Sequence, residues 1–356
     1  MRLLRKDSQH EMSLLHPCTG VRRSINNTYY CNKRCQDKDW ERHKHECRKL
    51  HERKKLHRAA CLLQEIMYHI RMQAAPPLFR GIHADGSTIY LNGYRHLRDQ
   101  TTKLLEPFPI PYDANRSEGE KQNFEAALVY MGCLETMVYL EEWVNAIFTG
   151  NNYHIKEANV RIANPVIKFI GRYPSGETVE MPVGYHNLYK VTYKNGETWA
   201  IDPSGAQFGF FNPLTPWHNY IAARTVSGAD TYPLGVIQSN AYDGCITQPV
   251  RVIVAQTVQN VWFVRCLAQK LPQLEGRYGG NLANVLRGTD SVFEEQKEEF
   301  LGMLDDCIKA SMEELYSDEM MAKMNEIIEE QLEKNKANPD SQVRMEEVMQ
   351  FMSERF

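Results

Sequence analysis

Three cysteines and two histidines fall within residues 29–47, YYCNKRCQDKDWERHKHEC, at the spacing Cys31-x3-Cys35-x7-His43-x3-Cys47. Thiolate sulfur and imidazole nitrogen are the donors that a zinc ion gathers into a tetrahedron. His43 and Cys47 stand four residues apart in a run that reads as helix, so both side chains point to one side. The chain has nine cysteines, Cys18, Cys31, Cys35, Cys47, Cys61, Cys133, Cys245, Cys266 and Cys307, an odd number unevenly spread. The N-terminus starts basic, but no apolar stretch of about 7 residues follows, so no secretory signal is expected. Reduced thiols in an intracellular protein fit this pattern better than a disulfide framework. Metal ligation is the chemistry the cluster suits; the plain alternative is a helix that merely contains these residues.

The same stretch resembles the second half of a MYND-type zinc finger. It matches that pattern of an aromatic residue, Cys31, three residues, Cys35-Gln36, Asp39-Trp40, His43, three residues and Cys47. The resemblance implies a zinc-binding module that docks protein partners, short proline-containing peptides among them, with Trp40 in the module's core. It also implies an interleaved arrangement in which Cys31 and Cys35 serve one Zn2+ ion, and His43 and Cys47 the other. The family carries two further Cys-x2-Cys pairs upstream. Its third and fourth cysteines would fall at Arg23 and Asn26, and Cys18 is the one cysteine there. Two protein ligands do not close a structural zinc site. Three explanations stand open. Residues 1–26 are not the authentic beginning; or the finger is a remnant held by Trp40; or Cys18 joins Cys31, Cys35 and a histidine in one rearranged site. The segment WAIDPSGAQFG, 199–209, is similar to one in uncharacterised fungal proteins with N-terminal MYND fingers.

A second group of residues lies mid-chain. HNLYKVTYKNGETWAIDPSGAQFG, 186–209, sets His186 at the start of one strand-like run and Asp202 at the end of the next. It resembles the His…Asp hairpin of the transglutaminase-like branch of the papain-type fold. The resemblance implies a cysteine nucleophile at the start of an upstream helix, a histidine base and an aspartate that orients it. Cys133, preceded by Gly132, is the cysteine suitably upstream. In such a triad a thiolate attacks an acyl carbon while the acid fixes the imidazole tautomer. The hairpin must meet a condition. A strict two-residue turn at Asn195-Gly196 would put His186 and Asp202 on opposite faces of the sheet. A three-residue loop, Lys194 to Gly196 with Gly196 left-handed, puts both on one face. Cys133 itself falls in a run that reads as continuous helix, the usual setting of a small buried core cysteine.

These residues need elements to hold them. From about Lys38 to Met72 apolar residues recur at three- to five-residue intervals, which predicts one long helix stopped by Pro76-Pro77. GSTIYLNGYR predicts a short strand, and LLEPFPIPYDANRSEGE a proline-rich linker. KQNFEAALVYMGCLETMVYLEEWVNAIFTGNN predicts one long amphipathic helix closed at Gly150. VIKFIGRY, the 186–202 hairpin and PLGVIQ read as strands, and VRVIVAQTVQNVWFVRCLA is ambiguous between strand and helix. Residues 290–335 carry a helical stripe of Phe293, Phe300, Leu304, Ile308, Met312 and Leu315, continued by Met321, Met324, Ile328 and Leu332. That stripe suits packing on the chain's own core, self-association or a partner helix. KANPDS breaks before a last short helix.

Charge divides the chain. Residues 1–58 hold sixteen Lys/Arg against seven Asp/Glu, residues 290–356 seven against nineteen, and the total is -3. A basic helix without interleaved aromatics is read as a solvated face, or one leaning on the acidic tail; nucleic acid is not expected. Apolar runs stop short of the roughly 20 residues a bilayer span needs. There is no Asn-His-x-Cys motif of a SET methyltransferase and no Gly-x4-Gly-Lys-Ser/Thr phosphate loop. The expectation is an α+β protein of four parts. They are a partial zinc finger with basic helix (1–58), a helix and Pro-rich linker (59–120), an α+β domain with an antiparallel sheet (121–289), and an acidic helical tail (290–356). Its expected function is zinc-dependent protein–protein interaction; the alternative is a cysteine-dependent acyl-transfer enzyme, transglutaminase-like or protease-like.

Overall fold

The computed structural model describes residues 10–11, 29–30, 33–95, 103–148, 153–248 and 250–337. Cys18 and Cys31 lie outside the described residues, as do the side chains of Cys35 and His43 and the expected last helix. Two short strands, β1 (His10–Glu11) and β2 (Tyr29–Tyr30), pair antiparallel ahead of α1 (Lys33–Gln73). Helix α1 runs 41 residues without a break, starting five residues before the apolar periodicity does. Its first half is polar. Its second half turns Leu56, Leu62, Leu63, Ile66, Met67 and Ile70 fully inward. Each such side chain contributes about 1.5–3 kcal/mol by leaving water.

After α1, a hairpin of β3 (Gly81–Asp85) and β4 (Thr88–Asn92) replaces the single strand expected. The proline-rich segment that follows is not a free linker: Leu104, Leu105 and Phe108 are buried, with Phe108 edge-on to Phe79 and Phe124. The long helix expected over 121–152 is two helices, α2 (Glu118–Leu128) and α3 (Cys133–Phe148). Ser117 caps α2 through a reciprocal capping box with Glu120. Met131 at φ 56° and Gly132 turn the chain between the helices. A left-handed residue cannot continue a right-handed helix, so the apolar periodicity passes across a break that only the backbone registers.

Strands β5 (Tyr153–Arg161), β6 (Lys168–Arg172), β7 (Thr178–Glu180), β8 (Tyr185–Tyr193), β9 (Thr198–Ile201) and β10 (Leu214–Pro216) precede α4 (Trp217–Arg224) and β11 (Asp230–Pro233). A five-stranded sheet has the order β10-β9-β8-β5-β11, every pair antiparallel. A four-stranded sheet, β3-β4-β6-β7, contains one parallel pair, β4 with β6. PLGVIQ is not a strand: its Val236 opens α5 (Val236–Ile246). Glu157 of β5 accepts hydrogen bonds from Gly235 N (2.9 Å) and Ile237 N (2.6 Å), so a buried carboxylate satisfies amides that the helix start leaves unpaired. The ambiguous apolar run is α6 (Arg251–Ala268), followed by α7 (Leu271–Arg277), α8 (Asp290–Leu315) and α9 (Asp318–Lys336).

The stripe of the acidic tail packs inward. Phe293, Phe300, Leu304, Ile308 and Leu315 of α8 and Met324, Ile328 and Leu332 of α9 share one core with α1, α3 and α6. The basic helix leans on it: Lys54 and Arg58 both reach Asp290 at 2.7 Å, and His69 and Gln73 both reach Asp305.

Candidate functional site

The hairpin of β8 and β9 sets the geometry. Tyr189 stands opposite Ile201 and Thr192 opposite Thr198, which leaves Lys194–Gly196 as a three-residue loop. Gly196 sits at φ 85°, the left-handed position of a bulged turn, and Gly196 N donates to Tyr193 O at 2.9 Å. Under this register His186 and Asp202 face the same side. His186 Nε2 lies 2.8 Å from Asp202 Oδ1, and both residues are buried. The other carboxylate oxygen, Oδ2, accepts from the Tyr220 hydroxyl at 2.8 Å. Phe208 packs edge-on to the imidazole with ring centroids 4.9 Å apart. Gly205 is required beside this pair, because a Cβ there would stand 2.5 Å from Asp202 Oδ2 and 2.8 Å from Phe210 O.

Cys133 comes to this pair from the other side. The turn after α2 makes it the first residue of α3, where unpaired amides and the helix dipole favour negative charge. Gly132 O accepts the first helical bond, from Thr136 N at 2.9 Å, and also the Thr136 hydroxyl at 2.7 Å. The Cys133 thiol is half-buried, 3.9 Å from Tyr185 O, the carbonyl just before His186. Burial alone would lower the His186 pKa. The charge and hydrogen bond of Asp202, then the influence of the nearby Cys133, outweigh it and push it up to about 10. With Nε2 committed to Asp202, the remaining ring atom is Nδ1, which is buried without a hydrogen-bond partner.

Arg71 holds the turn that delivers the thiol. This buried α1 side chain donates from Nε to Leu128 O and from a terminal nitrogen to Tyr130 O, each at 2.9 Å. Those carbonyls belong to the end of α2 and the turn before Cys133. Burial raises the pKa of Cys245 and Cys307, and burial with the Glu314 charge pushes Cys266 up to about 11.

Tyr220, Arg71, Gly205 and Phe208 are absent from the sequence-based site. Gly205 and Phe208 lie within the segment WAIDPSGAQFG, whose Gly and Phe after Asp-Pro were the available signal. Arg71 and Tyr220 carry none, since they reach the site from other helices.

The zinc ligands expected upstream are placed only in part. Cys35, His43 and Cys47 all belong to α1, and Cys47 is half-buried. At about 1.5 Å rise per residue, Cys35 is about 12 Å along the axis from His43, so these two cannot share one ion. His43 and Cys47, one turn apart, can. Among the described residues, no group of three or more His, Cys, Asp or Glu residues is arranged to hold a metal. Trp40, expected in the module's core, is instead 43% exposed on a turn of α1.

Compared with family models, residues 13–47 match the MYND finger. MYND fingers bind zinc and serve as protein-interaction modules, and this segment's thiol and imidazole donors suit that metal. Neither the curated proteins nor the solved structures compared with the chain gave a match. No helix of the described residues is long and apolar enough to cross a membrane.

Proposed function

We propose that the α+β part of this chain is a cysteine-dependent acyl-transfer enzyme, and that the finger brings it to protein partners. In this reading Cys133 is the nucleophile, His186 the base and acid, and Asp202 the group that orients His186. The observation that carries it is the convergence, from a helix start, a strand start and a strand end, of a thiol, an imidazole and a buried carboxylate. The buried Nδ1, left without a hydrogen-bond partner while the Cys133 sulfur lies 3.9 Å from the neighbouring Tyr185 carbonyl, supports the order Cys133–His186–Asp202.

The reaction balances on these groups alone. The one proton shared by Cys133 and His186 rests on His186 Nδ1 when the sulfur attacks the acyl carbon. The tetrahedral adduct collapses to a thioester as the leaving amine or alcohol takes the proton from His186. Water or an acceptor amine then attacks the thioester as His186 takes its proton; the adduct collapses, the C–S bond breaks, the acyl product leaves, and the sulfur and His186 again share one proton. Asp202 keeps Nε2–H pointed away from the sulfur and stabilises the imidazolium throughout.

For the finger we propose Cys31, Cys35, His43 and Cys47 as zinc ligands, with Cys18 the upstream thiol available to complete a site. Proline-containing peptides are the partner class proposed, and the cytoplasm or nucleus the compartment.

Mass-spectrometric labelling with iodoacetamide at neutral pH tests the enzyme reading. Cys133 is expected to react at least about tenfold faster than Cys245, Cys266 and Cys307, with that advantage lost in His186→Gln. A Cys133 no faster than those buried thiols would sink the reading.

A further inference from the structure

Asp202 has two oxygens, and a Cys–His–Asp arrangement accounts for one. The second is taken by a tyrosine from a separate element. Tyr220 lies in α4, is fully buried, and places its hydroxyl 2.8 Å from Asp202 Oδ2. Behind it, the Arg224 guanidinium lies over the Tyr220 ring at 4.9 Å and over Phe210 at 4.3 Å. The titratable groups that act on the His186–Asp202 pair are Cys133 from α3, Tyr220 from α4 with Arg224 behind it, and Tyr68 from α1. Tyr68 feels the Asp202 charge, and its hydroxyl is buried without a partner.

We propose that Tyr220 is a positioning residue of the site, which fixes the Asp202 carboxylate by its hydroxyl and draws off part of the charge that holds the proton on His186. This rests on the reading of Cys133, His186 and Asp202 as one site, and deepens it.

The physical argument concerns what happens when His186 loses its proton. While His186 is charged, Asp202 has a counter-ion. Once the proton leaves, a buried carboxylate stands alone, and a hydrogen-bond donor on its other oxygen is worth most in that state. Tyr220 thus favours the neutral imidazole, and eases proton delivery to the leaving group. Burial, then the charge of Asp202, keep the Tyr220 hydroxyl protonated, with Arg224 opposing. It is a donor wherever the site works.

The test is the titration of His186 in the full-length chain, followed by NMR with ring-labelled histidine. The His186 signal is identified by its loss in His186→Gln. The measurement is made in a Cys133→Ala background, where loss of the thiol's contribution lowers the midpoint into an accessible range. Adding Tyr220→Phe is expected to move the midpoint up by about one unit or more. A midpoint that is unchanged or lower, in a variant whose methyl spectrum remains native, overturns the proposal. Should Tyr220→Phe fail to fold, 3-fluorotyrosine at position 220 serves instead. Its more acidic hydroxyl is a stronger donor, so the midpoint must fall, and no fall overturns the proposal. A tyrosine that only filled space would shift the melting temperature and leave the midpoint alone. Because this readout lacks the thiol, it is independent of iodoacetamide labelling: slow labelling with a shifted midpoint removes the enzyme reading and keeps the Tyr220–Asp202–His186 relation.

Discussion

His186 decides most of the chemistry at the scale of single residues, and its proton is also a source of stability. A histidine in an unfolded chain titrates near pH ~6.5, whereas here Asp202 and Cys133, against the opposing effect of burial, push it up to about 10. The folded-state value is raised, so the contribution is fully present below about pH 6.5 and declines as pH rises toward 10. Unfolding free energies of the native chain and of His186→Gln should therefore differ most near pH 6. The gap should shrink by at most ~1.4 kcal/mol per pH unit across that window. Denaturant titrations at pH 6, 8 and 9.5 measure this, and a gap that widens with pH would contradict the assigned ion pair. His186 and Asp202 were legible in the sequence because one hairpin carries both and Gly196 fixes its register. Tyr220 was not, because its approach depends on α4 folding back over the sheet, which no local pattern encodes.

Elements place these residues, and the break between α2 and α3 matters most. The apolar periodicity of 121–148 continues through Met131 and Gly132, so a pattern-based reading joins the two helices and buries Cys133 mid-helix. The actual turn rests on a left-handed Met131 and on Arg71, which satisfies Leu128 O and Tyr130 O from a different helix. A tertiary contact overrides a local preference here, and the helix start it creates puts Cys133 where negative charge is favoured. Replacing Arg71 by Met keeps the volume but leaves both carbonyls without donors. Removing the buried charge offsets part of that loss, so a net destabilisation of about 2 kcal/mol is expected. Cys133 labelling should slow about tenfold in that variant while the far-ultraviolet circular dichroism stays native. Arg71→Lys should not restore it, since one ammonium cannot reproduce two fixed donors of a fork. Labelling at the native rate in Arg71→Met would show that the turn holds without the arginine.

Over the whole molecule, composition and packing divide the chain differently. The charge step near residue 58 lies within α1, which continues through it and buries Leu56 through Ile70 in the central core. The acidic run from 290 reads as a tail, yet its stripe faces α1 and α6 in that same core. Composition reports what faces water; it is silent on which apolar stripe covers which. The finger and the core thus meet along one helix, with the ligands proposed on α1 ending at Cys47 and the fully buried residues starting at Leu56. Zinc binding should stabilise only the part that its ligands close, because metal affinity becomes folding free energy where the site is formed by folding. Elemental analysis of the purified chain should find zinc, and Cys31→Ser/Cys47→Ser should lose it. A strong chelator should then leave the main thermal transition within about a degree, because the core residues of α1 are held by α3 and α8. Cys133 labelling should persist after metal removal. If the chelator instead lowered that transition by many degrees, or silenced Cys133, the first half of α1 would be part of the core's cooperative unit, and the finger would govern the site as well as deliver it.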